Sequence, residues 1–344
     1  MIQPSEARNL LTKSSIAKYV EKTTVPTFFR SFFKVKEVMT KFLSIEVQRG
    51  TEKVAVDVIR GGDGNANKLT KSTEKTFMPP LYWEWLAAND HDLYDVAMAQ
   101  LNPSTLNDLS DGLASDLMKL RQKIERAIEL QCSQVFLSGI VQLKKGTDID
   151  YKRKAASVVD SGGAGYWTAS NFDPRKTIKK AGDFLRSEGK IGVGTLNVIM
   201  GDNAYEAFED STFIKEKADL KDYDITNIFE PQRNSSGGVL QGRLSAGAYK
   251  VNVWTYPEVY TNEAGVTTKY MDPDSIVVLP ETTNFELGFA AVPQLIKGRI
   301  APQRGAYLIS EFVDERAVEH EMHIKSAPLA IPVAIDTIFT EKVA

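Results

Sequence analysis

The stretch that decides the fold is Leu106–Leu137, which reads LNDLSDGLASDLMKLRQKIERAIELQCSQVFL. Its apolar residues recur every three or four positions, which places them on one face of an α-helix. A helix of this length spans roughly 45 Å at about 1.5 Å per residue, so we expect it to be a central element against which other elements pack. The apolar positions are Leu106, Leu109, Leu113, Leu117, Leu120, Ile124, Ala127 and Ile128.

The opposite face of the predicted helix is charged, which is typical of a surface that meets solvent or a charged neighbour. Gly112 costs about 1 kcal/mol relative to alanine in a helix interior. It indicates either a frayed first turn or a point at which the helix bends. The charged positions are Asp111, Asp116, Lys119, Arg121, Lys123, Glu125, Arg126 and Glu129.

The 344 residues carry 42 basic and 45 acidic side chains, a net charge of -3. This balance argues against a protein whose main function is to bind nucleic acid, because phosphate binding needs a basic surface. The single cysteine, Cys132, excludes an intrachain disulfide, and its place on the helix predicts a buried small hydrophobe. No signal peptide and no membrane span are visible, so we expect a soluble protein made in the cytosol.

An aromatic arm precedes the long helix. Residues 5–20 favour a short amphipathic helix, and Val25–Phe33 then holds four phenylalanines within six positions. A cluster this apolar must be buried, either on the core of its own chain or on a neighbouring subunit. The sequence leaves both alternatives open.

A polar hairpin follows the arm. Residues 41–57 alternate as a strand does, residues 60–67 form a turn rich in glycine and asparagine, and residues 68–77 are again extended. A lone two-stranded hairpin is marginal in water, so it should lie on another surface. The glycine turn lacks the lysine spacing and the following helix of a phosphate-binding loop.

The second half of the chain mixes helices with many short strands. Asp173 and Pro174 predict the N-cap and first residue of a helix that ends near Gly189. The absence of a βαβ rhythm indicates an α+β fold. Predicted strands cover residues 195–200, 239–260, 266–270, 275–279, 313–324 and 330–339, and a further helix follows residues 201–203.

No catalytic constellation is evident. His320 and His323 are three apart in a strand-like run, so they should point to opposite faces and could not hold one metal ion. His91 is the third histidine, and Asp148 and Asp150 lie in a loop that favours solvated charge. The remaining acidic residues are predicted to be surface charge, and neither an enzyme, nor a metal, nor a cofactor is expected.

The order of these features resembles the lambda-type major head proteins of tailed bacteriophages, which have the HK97-type capsid fold. The resemblance covers nearly the whole chain, and the closing SAPLA segment is its most specific part. The matching segments are Phe28-Phe29-Arg30 with Phe32-Phe33, Trp167, Asn171–Pro174, Asn197–Ile199, Ala204–Phe208, Asp272–Asp274, Ile276–Leu279 and Ser326–Ala330.

The resemblance implies an α+β HK97-type fold with an N-arm, an E-loop hairpin, a P-domain with a long spine helix and an A-domain with a mixed sheet. It also implies contacts between subunits through the arm and the E-loop, at Phe28, Phe29, Arg30, Phe32, Phe33, Arg60, Lys68, Lys71 and Lys75. The implied boundaries are 1–47 for the N-arm, 48–84 for the E-loop, 85–172 for the P-domain with its spine helix at 106–137, 173–302 for the A-domain, 303–327 for the returning P-domain strands and 328–344 for the final A-domain strand.

Such proteins assemble as hexamers and pentamers into an icosahedral virion capsid around double-stranded DNA. The implied partners are therefore other copies of the chain, scaffolding and portal proteins, a decoration protein at three-fold positions, and DNA held without sequence-specific binding. Synthesis and assembly would take place in the host bacterial cytoplasm. The alternatives are an encapsulin-like compartment shell, against which the long arm argues, and a soluble enzyme.

Overall fold

A computed structural model describes residues 25, 27–48, 72–88, 103–169, 172–192, 194–219, 231–296, 299–314 and 319–344. The predicted helix over residues 5–20, the tip of the hairpin and His91 lie outside the described residues, as do Arg60, Lys68 and Lys71. Four α-helices are described within those ranges: α1, Pro103–Leu137; α2, Pro174–Ser187; α3, Asp202–Asp210; and α4, Thr212–Asp219.

The long helix α1 is confirmed and begins three residues before the predicted start. Pro103 is its first residue, where the missing N–H of proline costs nothing. The helix continues through Gly112 without interruption. It ends at Leu137, and just beyond it Gly139 has a φ of +75°, which suits glycine, and donates its N–H to the carbonyl oxygen of Gln134 at 3.0 Å.

The strands are short and numerous, as the pattern indicated. They are β1 Phe33–Glu37, β2 Leu43–Gln48, β3 Ser72–Phe77, β4 Tyr82–Ala88, β5 Ile140–Val141, β6 Ile149–Asp150, β7 Val158–Asp160, β8 Thr195–Met200, β9 Gln232–Arg233, β10 Val239–Ala246, β11 Tyr249–Thr255, β12 Val259–Thr261, β13 Thr267–Lys269, β14 Ser275–Pro280, β15 Phe285–Phe289, β16 Val292–Ile296, β17 Arg299–Gln303, β18 Leu308–Asp314, β19 Glu319–Ser326, β20 Pro328–Ile331 and β21 Phe339–Lys342.

A seven-stranded mixed sheet has the order β7-β21-β14-β8-β11-β10-β9. Strands β8 and β11 pair in parallel, whereas β14 runs antiparallel to β8. All six residues of β14 are buried, as expected of a strand covered on both faces. Buried residues of α2, including Ile178, Ala181 and Leu185, join those of β8, β14 and α3 in one core cluster. A mixed sheet is what the resemblance to the capsid fold implied.

A second core lies along α1. A three-stranded sheet of order β1-β15-β20 belongs to it, and the amino-terminal strand β1 pairs in parallel with β15. Another three-stranded sheet, of order β18-β19-β4, turns the buried Met322 and Ile324 towards the same cluster. The long helix is therefore the predicted central element, and two small sheets pack along it.

Two predictions at the carboxyl-terminal end were wrong. Residues 313–324 do not form one strand, because Leu308–Asp314 and Glu319–Ser326 pair antiparallel as a hairpin. Residues 330–339 are also divided. Strand β20 ends at Ile331, Pro332 follows, and a 3₁₀ turn at Ile335–Thr337 separates it from β21. Proline cannot donate to a strand ladder, which is why the extended run stops there.

The base of the polar hairpin is confirmed, because β2 and β3 pair antiparallel from Leu43 with Phe77 to Gln48 with Ser72. Strand pairing crosses several of the predicted domain boundaries. Strand β7, predicted in the P-domain, extends the seven-stranded sheet, and β15, predicted in the A-domain, pairs with the arm. The boundaries themselves stay a prediction.

Candidate assembly site: the docked arm and the exposed apolar set

The arm docks on the core of its own chain through aromatic side chains. Phe28 and Phe29 are 2% and 0% exposed. The Phe29 ring lies 5.5 Å from that of Phe136 on α1 and 5.0 Å from that of Tyr256, between ring centroids. A Cβ at Gly238 would lie 2.3 Å from the Phe28 ring, so only glycine permits this close approach. In this structure both rings are therefore buried against the core of their own chain.

Two buried glutamates of α1 bind the backbone of the arm. Glu129 Oε1 accepts the N–H of Phe29 at 2.7 Å, and Glu129 Oε2 accepts the N–H of Arg30 at 3.0 Å. One turn earlier, Glu125 Oε2 accepts the N–H of Val25 at 3.2 Å. The arm and the helix therefore run side by side in the same direction, and each glutamate satisfies amide groups that the irregular arm cannot pair with itself.

These glutamates correct the prediction that the acidic residues outside the loop are surface charge, on a helix face that was expected to meet solvent or a charged neighbour. Glu125 and Glu129 are each 1% exposed, and Arg121 is 8% exposed. Arg121 Nε donates to Glu125 Oε1 at 2.8 Å, and its guanidinium lies 4.6 Å from the centroid of the Tyr307 ring. The carboxylate of Glu125 is thus neutralised by a buried cation, which makes its burial tolerable.

Glu129 is held differently. Its Oε1 also accepts the hydroxyl of Tyr256 at 2.9 Å. Burial raises the pKa of Glu129, although the N–H donors of Phe29 and Arg30 and the Tyr256 hydroxyl act in the opposite direction. A carboxyl group without an adjacent cation is costly to ionise inside a protein, so burial outweighs the hydrogen bonds.

A buried arginine joins α1 to the seven-stranded sheet. Arg153 Nη1 donates to the carbonyl oxygen of Phe136 at 2.7 Å, in the last turn of the helix. Arg153 Nη2 donates to the carbonyl oxygens of Ser157 at 2.8 Å and Ile338 at 3.0 Å. Burial lowers the pKa of Arg153 to about 10, which leaves the group charged at neutral pH. One guanidinium thus caps the helix and fixes the segment that leads into β21.

Most of the exposed large apolar side chains lie in one part of the chain. Among the described residues eleven such side chains are exposed, and seven of them fall between residues 35 and 85. We refer to these seven as the exposed apolar set. Its members are Val35, Met39, Phe42, Met78, Leu81, Trp83 and Trp85.

The two tryptophans of the set share one face of β4. Each is 53% exposed. Trp83 Nε1 donates to Nδ1 of His323 at 2.7 Å, and Lys325 Nζ lies 4.0 Å from the centroid of the Trp83 ring. His323 Nε2 and Glu321 Oε2 are 2.8 Å apart, so both ring nitrogens of His323 have protein partners. The histidine supports the tryptophan surface.

The predicted contact residues are divided by the fold. Phe33 is buried with Phe28 and Phe29, whereas Arg30 and Phe32 keep part of their surface. Lys75 lies in β3, and its side chain is outside the described residues. Their contacts with other subunits stay a prediction, and the buried rings have almost no surface left for a neighbour in this structure.

Sequence reasoning missed Glu125, Glu129, Tyr256 and Arg153. The one available signal was a run of five charged residues within Arg121–Glu129 on a helix that also holds apolar residues. That run does not reveal which charges are covered, because the covering arm lies 100 residues earlier in the chain.

The sequence matches the family model of phage major capsid protein E over residues 12–343. The chain belongs to the phage major capsid protein E family. It is a structural component of a phage capsid shell. No curated protein matches the sequence.

The fold of this capsid protein is similar to that of two solved structures. One is a putative capsid protein of a prophage from E. coli CFT073, with a TM-score of 0.64, 13% identity, and coverage of 97% of this chain and 99% of that chain. The other is a phage-related protein from Bordetella bronchiseptica RB50, with a TM-score of 0.51, 10% identity, and coverage of 96% and 97%. The HK97-type α+β fold of the capsid protein is thereby confirmed. None of its described helices has the length and apolar character needed to cross a membrane.

Proposed function

We propose that this capsid protein forms hexamers and pentamers that close into an icosahedral phage head around double-stranded DNA. The observation that carries the proposal is the exposed apolar set. Monomeric proteins rarely leave so many large apolar side chains exposed in neighbouring segments, and such surfaces mark contacts with other proteins. In a shell the most frequent neighbour is another copy of the chain.

The arm and the hairpin are the segments that would make these contacts. Phe42 directly precedes the paired residue Leu43, and Met78 directly follows its partner Phe77, so both lie at the base of the hairpin. Phe42 is 48% and Met78 54% exposed. We propose that they are covered by a neighbouring subunit, together with Arg30 and Phe32 of the arm and with Arg60, Lys68, Lys71 and Lys75 of the hairpin.

The other proposed partners are scaffolding and portal proteins during assembly and a decoration protein at three-fold positions. The net charge of -3 supports a shell that contains DNA without binding it tightly. We also propose that the protein is made in the host cytoplasm and has no enzymatic activity. The implied domain boundaries remain part of this proposal.

The test compares Phe42→Ser and Met78→Ser with Val259→Ser and Val266→Ser. The control valines are 48% and 56% exposed, lie on β12 and in the turn that follows it, and are not members of the set. Shells and free capsomers are separated by sedimentation and viewed by negative-stain microscopy across a protein concentration series.

Each variant of the set should raise the concentration needed for assembly by about tenfold or more, because burying one such side chain contributes about 1.5–3 kcal/mol. The control variants should assemble like the parent protein. Normal assembly by both set variants, or an equal loss in the controls, would contradict the proposed interface.

A further inference from the structure

One side chain holds three parts of the fold together. Glu129 projects from α1, binds the N–H groups of Phe29 and Arg30 in the arm, and accepts the hydroxyl of Tyr256 from the segment after β11. At 1% exposure the carboxyl group has almost no contact with water. The arm, the helix and the segment that follows β11 therefore meet at one titratable group.

Glu129 differs from Glu125, one turn away. Glu125 has the guanidinium of Arg121 at 2.8 Å. Among the described residues no basic nitrogen lies within ion-pair distance of Glu129, and its three donors are neutral N–H and O–H groups. The position of the arm thus depends on a carboxyl group whose charge is stabilised mainly by the dipoles of neutral donors, with the Arg30 cation acting at longer range.

We propose that Glu129 is a positioning residue whose protonation state sets how firmly the arm is docked on the long helix. The docked arm is held more tightly when the carboxyl group is protonated and opens more readily when it is ionised. When the arm lifts away, the carboxylate regains water, so ionisation favours the open arm.

The direction of this pH dependence follows from the linkage between docking of the arm and protonation of Glu129. Burial raises the pKa of Glu129 in the docked state, and exposure returns that pKa towards its ordinary value in the open state. The contribution of Glu129 to docking is therefore fully present below the ordinary pKa. It is lost as the pH rises through the raised value of the docked state. Between these two values the opening constant changes by up to about tenfold per pH unit.

Charged and titratable groups from the helix, the arm and the neighbouring segments surround Glu129. Burial raises the pKa of Cys132 well above its ordinary value, and it also raises the pKa values of Tyr256 and Tyr270, so all three stay neutral. Arg30 on the arm is a permanent cation that acts at longer range. The remaining charged or titratable groups nearby are Arg121 and Glu125 on α1, Arg126 beside Tyr270, and Tyr307 next to Arg30.

The test follows hydrogen exchange at the Phe29 and Arg30 amides of the full-length protein from pH 4 to 8, corrected for the intrinsic pH dependence of exchange. In the parent protein the protection of these amides should fall through one step as the pH rises above the ordinary range of glutamate. In Glu129→Gln the step should be absent, because the amide side chain does not titrate.

A second variant distinguishes titration of Glu129 from a general weakening of the contact between the arm and the helix. The Tyr256 hydroxyl lowers the pKa of Glu129. Tyr256→Phe removes only that hydroxyl and keeps the ring that contacts Phe28 and Phe29, so it should move the step to higher pH. It also provides the test if Glu129→Gln does not fold.

The matched control is Asp116→Asn, which removes an exposed carboxylate from the same helix. It should leave the step where it is. Protection that is independent of pH in the parent protein would overturn the proposal, as would a step that persists in Glu129→Gln or stays fixed in Tyr256→Phe. The proposal concerns contacts within one chain, so it stands or falls separately from the assembly interface.

Discussion

Replacing Arg153 by methionine should weaken the attachment of the long helix to the seven-stranded sheet, so that the subunit unfolds at a lower concentration of denaturant. Methionine fills a similar space but donates no hydrogen bonds. The carbonyl oxygen of Phe136 keeps the hydroxyl of Thr340 at 2.6 Å. The carbonyl oxygens of Ser157 and Ile338 lose the Arg153 donor at 2.8 and 3.0 Å.

The magnitude follows from those two carbonyls. A buried polar group left without its partner costs about 1–3 kcal/mol, so the pair predicts a loss of about 2–6 kcal/mol in the free energy of unfolding. With a urea dependence of about 3 kcal/mol per molar, the unfolding midpoint should fall by roughly 0.7–2 M. Unassembled subunits unfolded in urea and followed by circular dichroism give this number directly.

Lys152→Met is the control for this experiment. The Lys152 side chain is 75% exposed and pairs with Asp150 at the surface, so its loss should change stability by less than about 0.5 kcal/mol. Arg153→Lys should fall between the two, because one ammonium group replaces separate donors at Nη1 and Nη2 of Arg153. If Arg153→Met lowers the unfolding midpoint no more than Lys152→Met does, the conclusion that Arg153 stabilises the attachment of α1 to the seven-stranded sheet is refuted.

Three further predictions concern the arm, the hairpin and one helix cap. Phe29→Ala should lower stability by about 3–5 kcal/mol in urea unfolding, because it empties a fully buried site, whereas Val35→Ala on the exposed side of the same arm should change it by less than about 0.5 kcal/mol. A Cβ at Gly288 would lie 2.6 Å from Leu43 Cδ1, so Gly288→Ala should displace the base of the hairpin and speed hydrogen exchange in β2, while unchanged exchange would contradict this packing. Asp173→Ala should cost about 1 kcal/mol through loss of the N-cap of α2. Burial acts to raise the pKa of Asp173, but hydrogen bonds from Arg175 outweigh it, so the pKa lies below its ordinary value. The stabilisation by the charged N-cap should therefore be lost as the pH falls through that lowered pKa, and Asp173→Ala should show no such pH-dependent loss.

Sequence periodicity predicted the elements whose structure depends on local chemistry. The spacing of Leu117, Ile124 and Ile128 fixed one face of α1, and all three are buried. Asp173 caps α2 because its side chain accepts the N–H of Arg175, which any chain with Asp-Pro at that position can achieve.

The sequence could not predict which charges would be buried. A helix pattern shows an apolar stripe, but the carboxylates of Glu125 and Glu129 lie under the arm because distant backbone N–H groups need acceptors. The division of the run into β18 and β19 was missed for a related reason, because only the pairing partners of the extended residues separate the two strands. The end of β20 before Pro332 differs, because the proline that stops the strand ladder is visible in the sequence.

The aromatic residues of the arm find their partners very late in the chain. Phe28 and Phe29 contact Trp254 and Tyr256, and β1 pairs with Phe285–Phe289. A ribosome that adds about 5–20 residues per second needs roughly 10–50 s to make the intervening chain. During that time the phenylalanines cannot reach their final site. A subunit therefore gains its docked arm only when synthesis is nearly finished, and truncated chains that lack the second half cannot display the arm in its docked form.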